Sequence, residues 1–175
     1  MKKNILGVSA LILAVCSGTA IAADNGGEVQ FSGVVSDTTC NIVPSVGGAE
    51  GAVVQLGTVA TSETGESVAF SLRPAAGSQC GDTSLTGAVF NFVSSSMNSV
   101  GVGNSSGTAT DANMTLQAVN AIGGPVDIKQ GSTTAEVAMN DLNDPAKGAQ
   151  FEVQLIGGAV PGNYLSSVTY SVYYN

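Results

Sequence analysis

Histidine and tryptophan are both absent from this chain, and only five of its 175 residues are Lys or Arg. Without histidine there is no imidazole base for a Ser or Cys nucleophile and no imidazole ligand for zinc. No CxxC pair, HExxH motif, nucleophile elbow or phosphate loop occurs either. Gly101-Val102-Gly103-Asn104-Ser105-Ser106-Gly107 is glycine-rich, but it is neither a Walker loop nor a dinucleotide-binding turn that opens a helix. These absences exclude the common catalytic constellations, so the chain reads as a non-enzyme with no metal or cofactor. Charge is scarce as well: 10% of residues are charged, and Gly, Ser, Thr, Ala, Val and Asn fill the sequence instead.

The first 22 residues read differently from the rest. Lys2 and Lys3 precede an apolar run from Ile5 to Val15, and small residues follow around Ala20-Ile21-Ala22-Ala23. That layout is a secretory signal peptide, cleaved after Ala22 or Ala23. The apolar run falls short of the roughly 20 residues a spanning helix needs. Cys16 opens a rival reading as a lipid-modified N-terminus, against which stands the bulk of Val15 before it.

Cleavage leaves Arg73, Lys129 and Lys147 as the cations against 13 carboxylates, a net charge of −10. Nucleic acid and anionic lipid both require clustered Lys and Arg, so neither is an expected partner. Cleavage also removes Cys16 and leaves Cys40 and Cys80. In an oxidising compartment an even pair usually forms a disulfide, which here would stabilise the fold by roughly 3 to 4 kcal/mol. Two buried free thiols are the alternative.

Strand signals dominate the chain after residue 27. Val29, Phe31, Gly33 and Val35 alternate with Glu28, Gln30, Ser32 and Val34. Further candidates are 53–56, 68–72, 88–93, 114–119, 125–128, 135–139, 151–156 and 168–175. Turn residues separate them, among them Gly47-Gly48, Gly123-Gly124-Pro125 and Gly157-Gly158. No window carries a helical stripe, and no internal repeat is visible. Short strands at regular spacing indicate one all-β domain, a sandwich. Ser94 to Asp111 is the longest polar stretch and reads as a mobile loop.

Both ends of the processed chain are apolar, β-prone and patterned, whereas chain ends usually fray. Asn25-Gly26-Gly27-Glu28-Val29-Gln30-Phe31-Ser32-Gly33-Val34-Val35 precedes Cys40; Val54-Gln55-Leu56-Gly57 lies between Cys40 and Cys80; Gly162 stands fourteenth from the end; Tyr174 is penultimate. In this order and spacing the sequence resembles the pilins of chaperone–usher fimbriae, especially the major subunits of type 1-like pili, over essentially its whole length.

The resemblance implies an immunoglobulin-like β-sandwich lacking its last strand. A donor strand from a neighbouring subunit or a chaperone would complete it, by strand addition to a sheet edge. It divides the chain into a signal peptide (1–22), a donor-strand extension (23–36) and a pilin domain (37–175). It makes Gly27, Val29, Phe31, Gly33 and Val35 the residues that enter the neighbour's groove. It makes Gly162, Val168, Tyr170, Val172, Tyr174 and Asn175 the groove and chaperone-contact strand, with the Asn175 carboxylate in a basic cleft of the chaperone. The implied partners are identical or homologous pilin subunits, a periplasmic chaperone and an outer-membrane usher, with a host receptor left open. The implied location is the cell surface, reached through the periplasm, where the fibre supports adhesion. Two readings compete: a self-contained secreted β-sandwich that binds a ligand alone, and a minor or adhesive pilin that binds a receptor through its loops.

Overall fold

The computed structural model of the chain describes residues 40–78, 80 and 84–175. Among the described residues, ten strands and one helical turn succeed one another. They are β1 (Ile42–Val46), β2 (Ala49–Glu50), β3 (Thr64–Pro74), β4 (Gly87–Val93), β5 (Val102–Gly103), β6 (Asn113–Ala118), β7 (Val126–Asp127), β8 (Thr134–Ala138), α1 (Met139–Leu142), β9 (Ala149–Ile156) and β10 (Thr169–Tyr174). One sheet runs β2-β1-β3-β9-β6-β5, with β7 added beside β6; the second runs β10-β4-β8. Every pairing is antiparallel. The all-β sandwich read from the sequence is the observed architecture.

Period-two burial explains the packing. In β9, Ala149, Phe151, Val153 and Leu155 are buried while Gln150, Glu152, Gln154 and Ile156 are more exposed. In β4, Ala88, Phe90 and Phe92 are buried. The two faces meet at an aromatic cluster. Phe151 stacks on Phe70 of β3 at 5.3 Å and meets Phe90 and Phe92 edge-on at 5.9 and 5.2 Å. Offset and edge-to-face rings at such distances add to the gain from burial alone.

Two local departures from the sequence expectations lie in the first part of the fold. Ile42–Val46 forms β1 although Pro44 interrupts it. The Pro44 carbonyl accepts the Gly51 N–H (3.0 Å), so its main chain faces away from β3 and the missing donor costs no ladder bond there. Gly47 and Gly48 then turn the chain with φ of 60° and 88°, conformations that suit glycine in a tight hairpin. Residues 53–56, expected as a strand, pair with no described strand.

The stretch from Ser94 to Asp111, expected as a mobile loop, is tied down by its own side chains. Asn98 Oδ1 accepts the N–H groups of Val100 and Gly101, and its Nδ2 donates to Asn113 Oδ1 (2.7 Å). Val102 inside this stretch is fully buried and pairs in β5.

Candidate functional site

Among the described residues, the last strand has one partnered edge. Asn175 and Gly87 exchange both main-chain bonds, at 3.0 and 3.2 Å. In an antiparallel ladder such bonded pairs recur every second residue, so Tyr173, Ser171 and Thr169 also turn their N–H and C=O groups towards β4. The same parity continues past the end of β4. Ser94 Oγ donates to the Ser167 carbonyl (2.8 Å). The Leu165 carbonyl accepts the N–H groups of Ser105 and Ser106, and the Asn163 carbonyl accepts that of Ala109.

Odd-numbered residues from 163 to 175 therefore spend their main-chain groups on one side. Tyr164, Ser166, Val168, Tyr170, Val172 and Tyr174 direct theirs to the opposite edge, which no described strand covers. The side chains of these even-numbered residues are half-buried. Val168, Tyr170, Val172 and Tyr174 pack against the core without being enclosed by it.

A second extended segment faces this edge. Residues 52–61 and 160–166 form the two walls of a cleft of about 890 Å³, whose lining includes Ala109, Ala112 and Leu155. Residues 52–59 make no main-chain hydrogen bond to another described residue. Val54, Leu56 and Val59 lean inward, half-buried, while Val53 is 69% exposed. Leu165 (61%) and Val160 (44%) expose further apolar surface beside the cleft. Nearer the end of the chain, the Tyr170 hydroxyl donates to the Ile42 carbonyl (2.9 Å) and ties β10 to β1. The arrangement is a slot whose walls carry apolar side chains and main chain unpaired among the described residues, chemistry suited to one added strand.

Several groups fix the walls. A Cβ on Gly162 would run into Thr108 Oγ1 and lie 2.7 Å from the Ala109 nitrogen, so close approach demands glycine there. The Asp111 carboxylate accepts the N–H groups of Ala159 (2.7 Å) and Val160 (3.2 Å). Those bonds hold its pKa below the usual carboxylate value. The Tyr164 hydroxyl donates to the Val102 carbonyl (3.0 Å), and burial pushes its pKa up to about 12. Burial raises the pKa values of Tyr170 and Tyr174 as well.

The chain is 32% identical to the F107 fimbrial protein of Escherichia coli over 173 residues, 98% of this chain and 99% of that protein. The chain belongs to the chaperone–usher fimbrial pilin family. The K99 fimbrial protein of Escherichia coli is 36% identical over 142 residues, 78% of this chain and 76% of that protein. No family model matches the sequence. The pilin is thus a structural subunit of a surface fimbria, exported through the periplasm, whose partners are other pilin subunits. The relatives are fibre proteins rather than enzymes.

Among the residues singled out in the sequence, Cys40 and Cys80 form a disulfide, with Cα atoms 4.6 Å apart. It joins the start of β1 to the chain beyond β3. Val168, Tyr170, Val172 and Tyr174 share one face of the pilin's last strand, and Gly162 lines the cleft. Asn175 closes the strand: its carbonyl accepts from Thr86 and Gly87, and its Nδ2 donates to Glu136 Oε1 (3.0 Å). Gly27, Val29, Phe31, Gly33 and Val35 lie outside the described residues, as do the boundaries at 22 and 36.

Sequence reasoning missed the wall formed by residues 52–59 and the groups that hold the opposite wall, Asn104 and Asp111. It also missed that the half-buried parity starts as early as Tyr164. Ser166 breaks the apolar pattern there and bonds the Ser96 hydroxyl instead (2.9 Å).

Proposed function

We propose that this pilin polymerises by donor-strand exchange, with the extension at residues 23–36 of one subunit filling the slot of the next. The observation that carries the reading is the main-chain edge of Tyr164, Ser166, Val168, Tyr170, Val172 and Tyr174, which no described strand covers. A strand laid along it gains hydrogen bonds over roughly 33 Å, at about 3.3 Å per residue. Every second side chain of that strand points into the sandwich. Val29, Phe31 and Val35 would each contribute roughly 1.5 to 3 kcal/mol when fully buried, and Gly33 suits a shallow point in the floor.

Before assembly the same edge would aggregate if left bare. A periplasmic chaperone that lends a strand meets that need, and an outer-membrane usher passes the subunit on. On this reading residues 1–22 are the cleaved leader, 37–175 the pilin domain, and the finished fibre supports adhesion.

Native-size analysis of the exported protein, with and without residues 24–35, tests the proposal. Chains of subunits that vanish on deletion are the expected result. A stable monomer in both cases would mean that the sandwich completes itself, and donor-strand exchange would be wrong.

A further inference from the structure

β4 ends at Val93, so the first part of the slot's long wall, residues 163–167, has no described strand behind it. The loop at 104–111 takes that place. Asn104 is its centre. Its Nδ2 donates to the carbonyls of Ala109 (2.7 Å) and Asn163 (3.1 Å). Its Oδ1 accepts the N–H groups of Gly107 (2.8 Å) and Leu165 (3.0 Å). Its own N–H donates to the Ala112 carbonyl (3.0 Å).

One amide side chain thus uses two donors and two acceptor sites at once. Half of those bonds close its own loop and half grip the wall. Gly107 lies so close to the Asn163 carbonyl that a Cβ there would collide with it.

We propose that Asn104 is a positioning residue for strand exchange. By occupying the outward groups of Asn163 and Leu165, it holds the wall extended, with Tyr164 and Ser166 aimed at the slot. An incoming strand then meets an edge already in register. Without Asn104 only a fraction of subunits would hold that edge ready, and uptake would fall by that fraction. The inference rests on the donor-strand reading, and the controls separate the two.

The test measures assembly rate and thermal midpoint on the full chain. Asn104→Ala is compared with Asn120→Ala. Asn120 pins a loop away from the slot in the same manner, with Nδ2 donating to the Gly148 carbonyl (3.0 Å) and Oδ1 accepting the Gln150 N–H (2.8 Å). Both variants are expected to lower the midpoint comparably. Asn104→Ala should slow assembly roughly tenfold, with Asn120→Ala within about twofold of wild type. Asn104→Asp keeps the acceptors for Gly107 and Leu165 but loses the donors, so it should fall between. It also serves if the alanine variant does not fold.

Equal slowing by Asn104→Ala and Asn120→Ala would show general destabilisation and overturn the role. Assembly of Asn104→Ala at the wild-type rate, beside a Phe31→Asp chain that cannot assemble, would overturn this role alone. Normal assembly of Phe31→Asp would overturn the donor-strand reading, and this role with it.

Discussion

Phe31→Asp is expected to abolish fibre formation while leaving a folded, disulfide-bonded subunit. Phe31 falls in the proposed extension, where the sequence alternation would set Val29 and Val35 on its side of a strand. In the exchange proposed here its ring enters the neighbour's sandwich. The core waiting there already holds Phe70, Phe90, Phe92 and Phe151 in one cluster. An aspartate in an apolar slot either enters as an unpaired charge or is protonated first. Both cost several kcal/mol, and the buried ring area is lost as well. Each 1.4 kcal/mol is tenfold in affinity, so the loss reaches several orders of magnitude. In that exchange Phe31 acts on the neighbour, so the subunit's own core should not depend on the substitution. Electron microscopy of the fibres, with circular dichroism of the subunit, reads both halves. Full-length fibres from the variant would show that the extension is not the donor.

Loss of the disulfide is the second large effect. Cys40 leads into β1, and Cys80 is 4% exposed among core residues, with its carbonyl accepting the Asn143 side chain (3.1 Å). The bond closes a separation of 40 residues that includes the slot wall at 52–61. On the chain-entropy account, releasing a loop of that length costs about 4 kcal/mol. That is a large share of the roughly 5 to 15 kcal/mol that holds a typical domain together. Replacing both cysteines by alanine should therefore lower the denaturant midpoint sharply, and wild type in reductant should match the variant. A shift below about 1 kcal/mol would mean that the β1–β3 ladder alone closes the loop.

How much of this was legible in the sequence depends on what holds each part. β4, β6 and β9 were readable because their ladders and their burial share period two, as Phe151, Val153 and Leu155 demonstrate. The last strand was readable for the same reason from Val168 onward. β1 was hidden by Pro44, whose tolerance depends on a neighbour that only the folded chain supplies. Residues 53–56 carry the alternation of a strand because they line a slot, yet pair with no described strand.

The ordered course of Ser94 to Asp111 was the least visible feature. Asn98, Asn104 and Asp111 hold it through side-chain bonds to main chain. Such bonds have no sequence period, so Asn among Gly and Ser reads only as loop. The resemblance to fimbrial pilins supplied what periodicity lacked: a reason why a patterned strand should keep one edge uncovered.

Amide hydrogen exchange on assembled fibres, with the Phe31→Asp subunit as the unassembled reference, tests the central claim residue by residue. Thr169, Ser171 and Tyr173 face β4 and should be protected in both states. The amides of Tyr164, Ser166, Val168, Tyr170, Val172 and Tyr174 should exchange readily in the subunit once it is released from the chaperone, and become protected in the fibre. If those even-numbered amides exchange alike in the two states, no strand is added along that edge, and the fibre is built some other way.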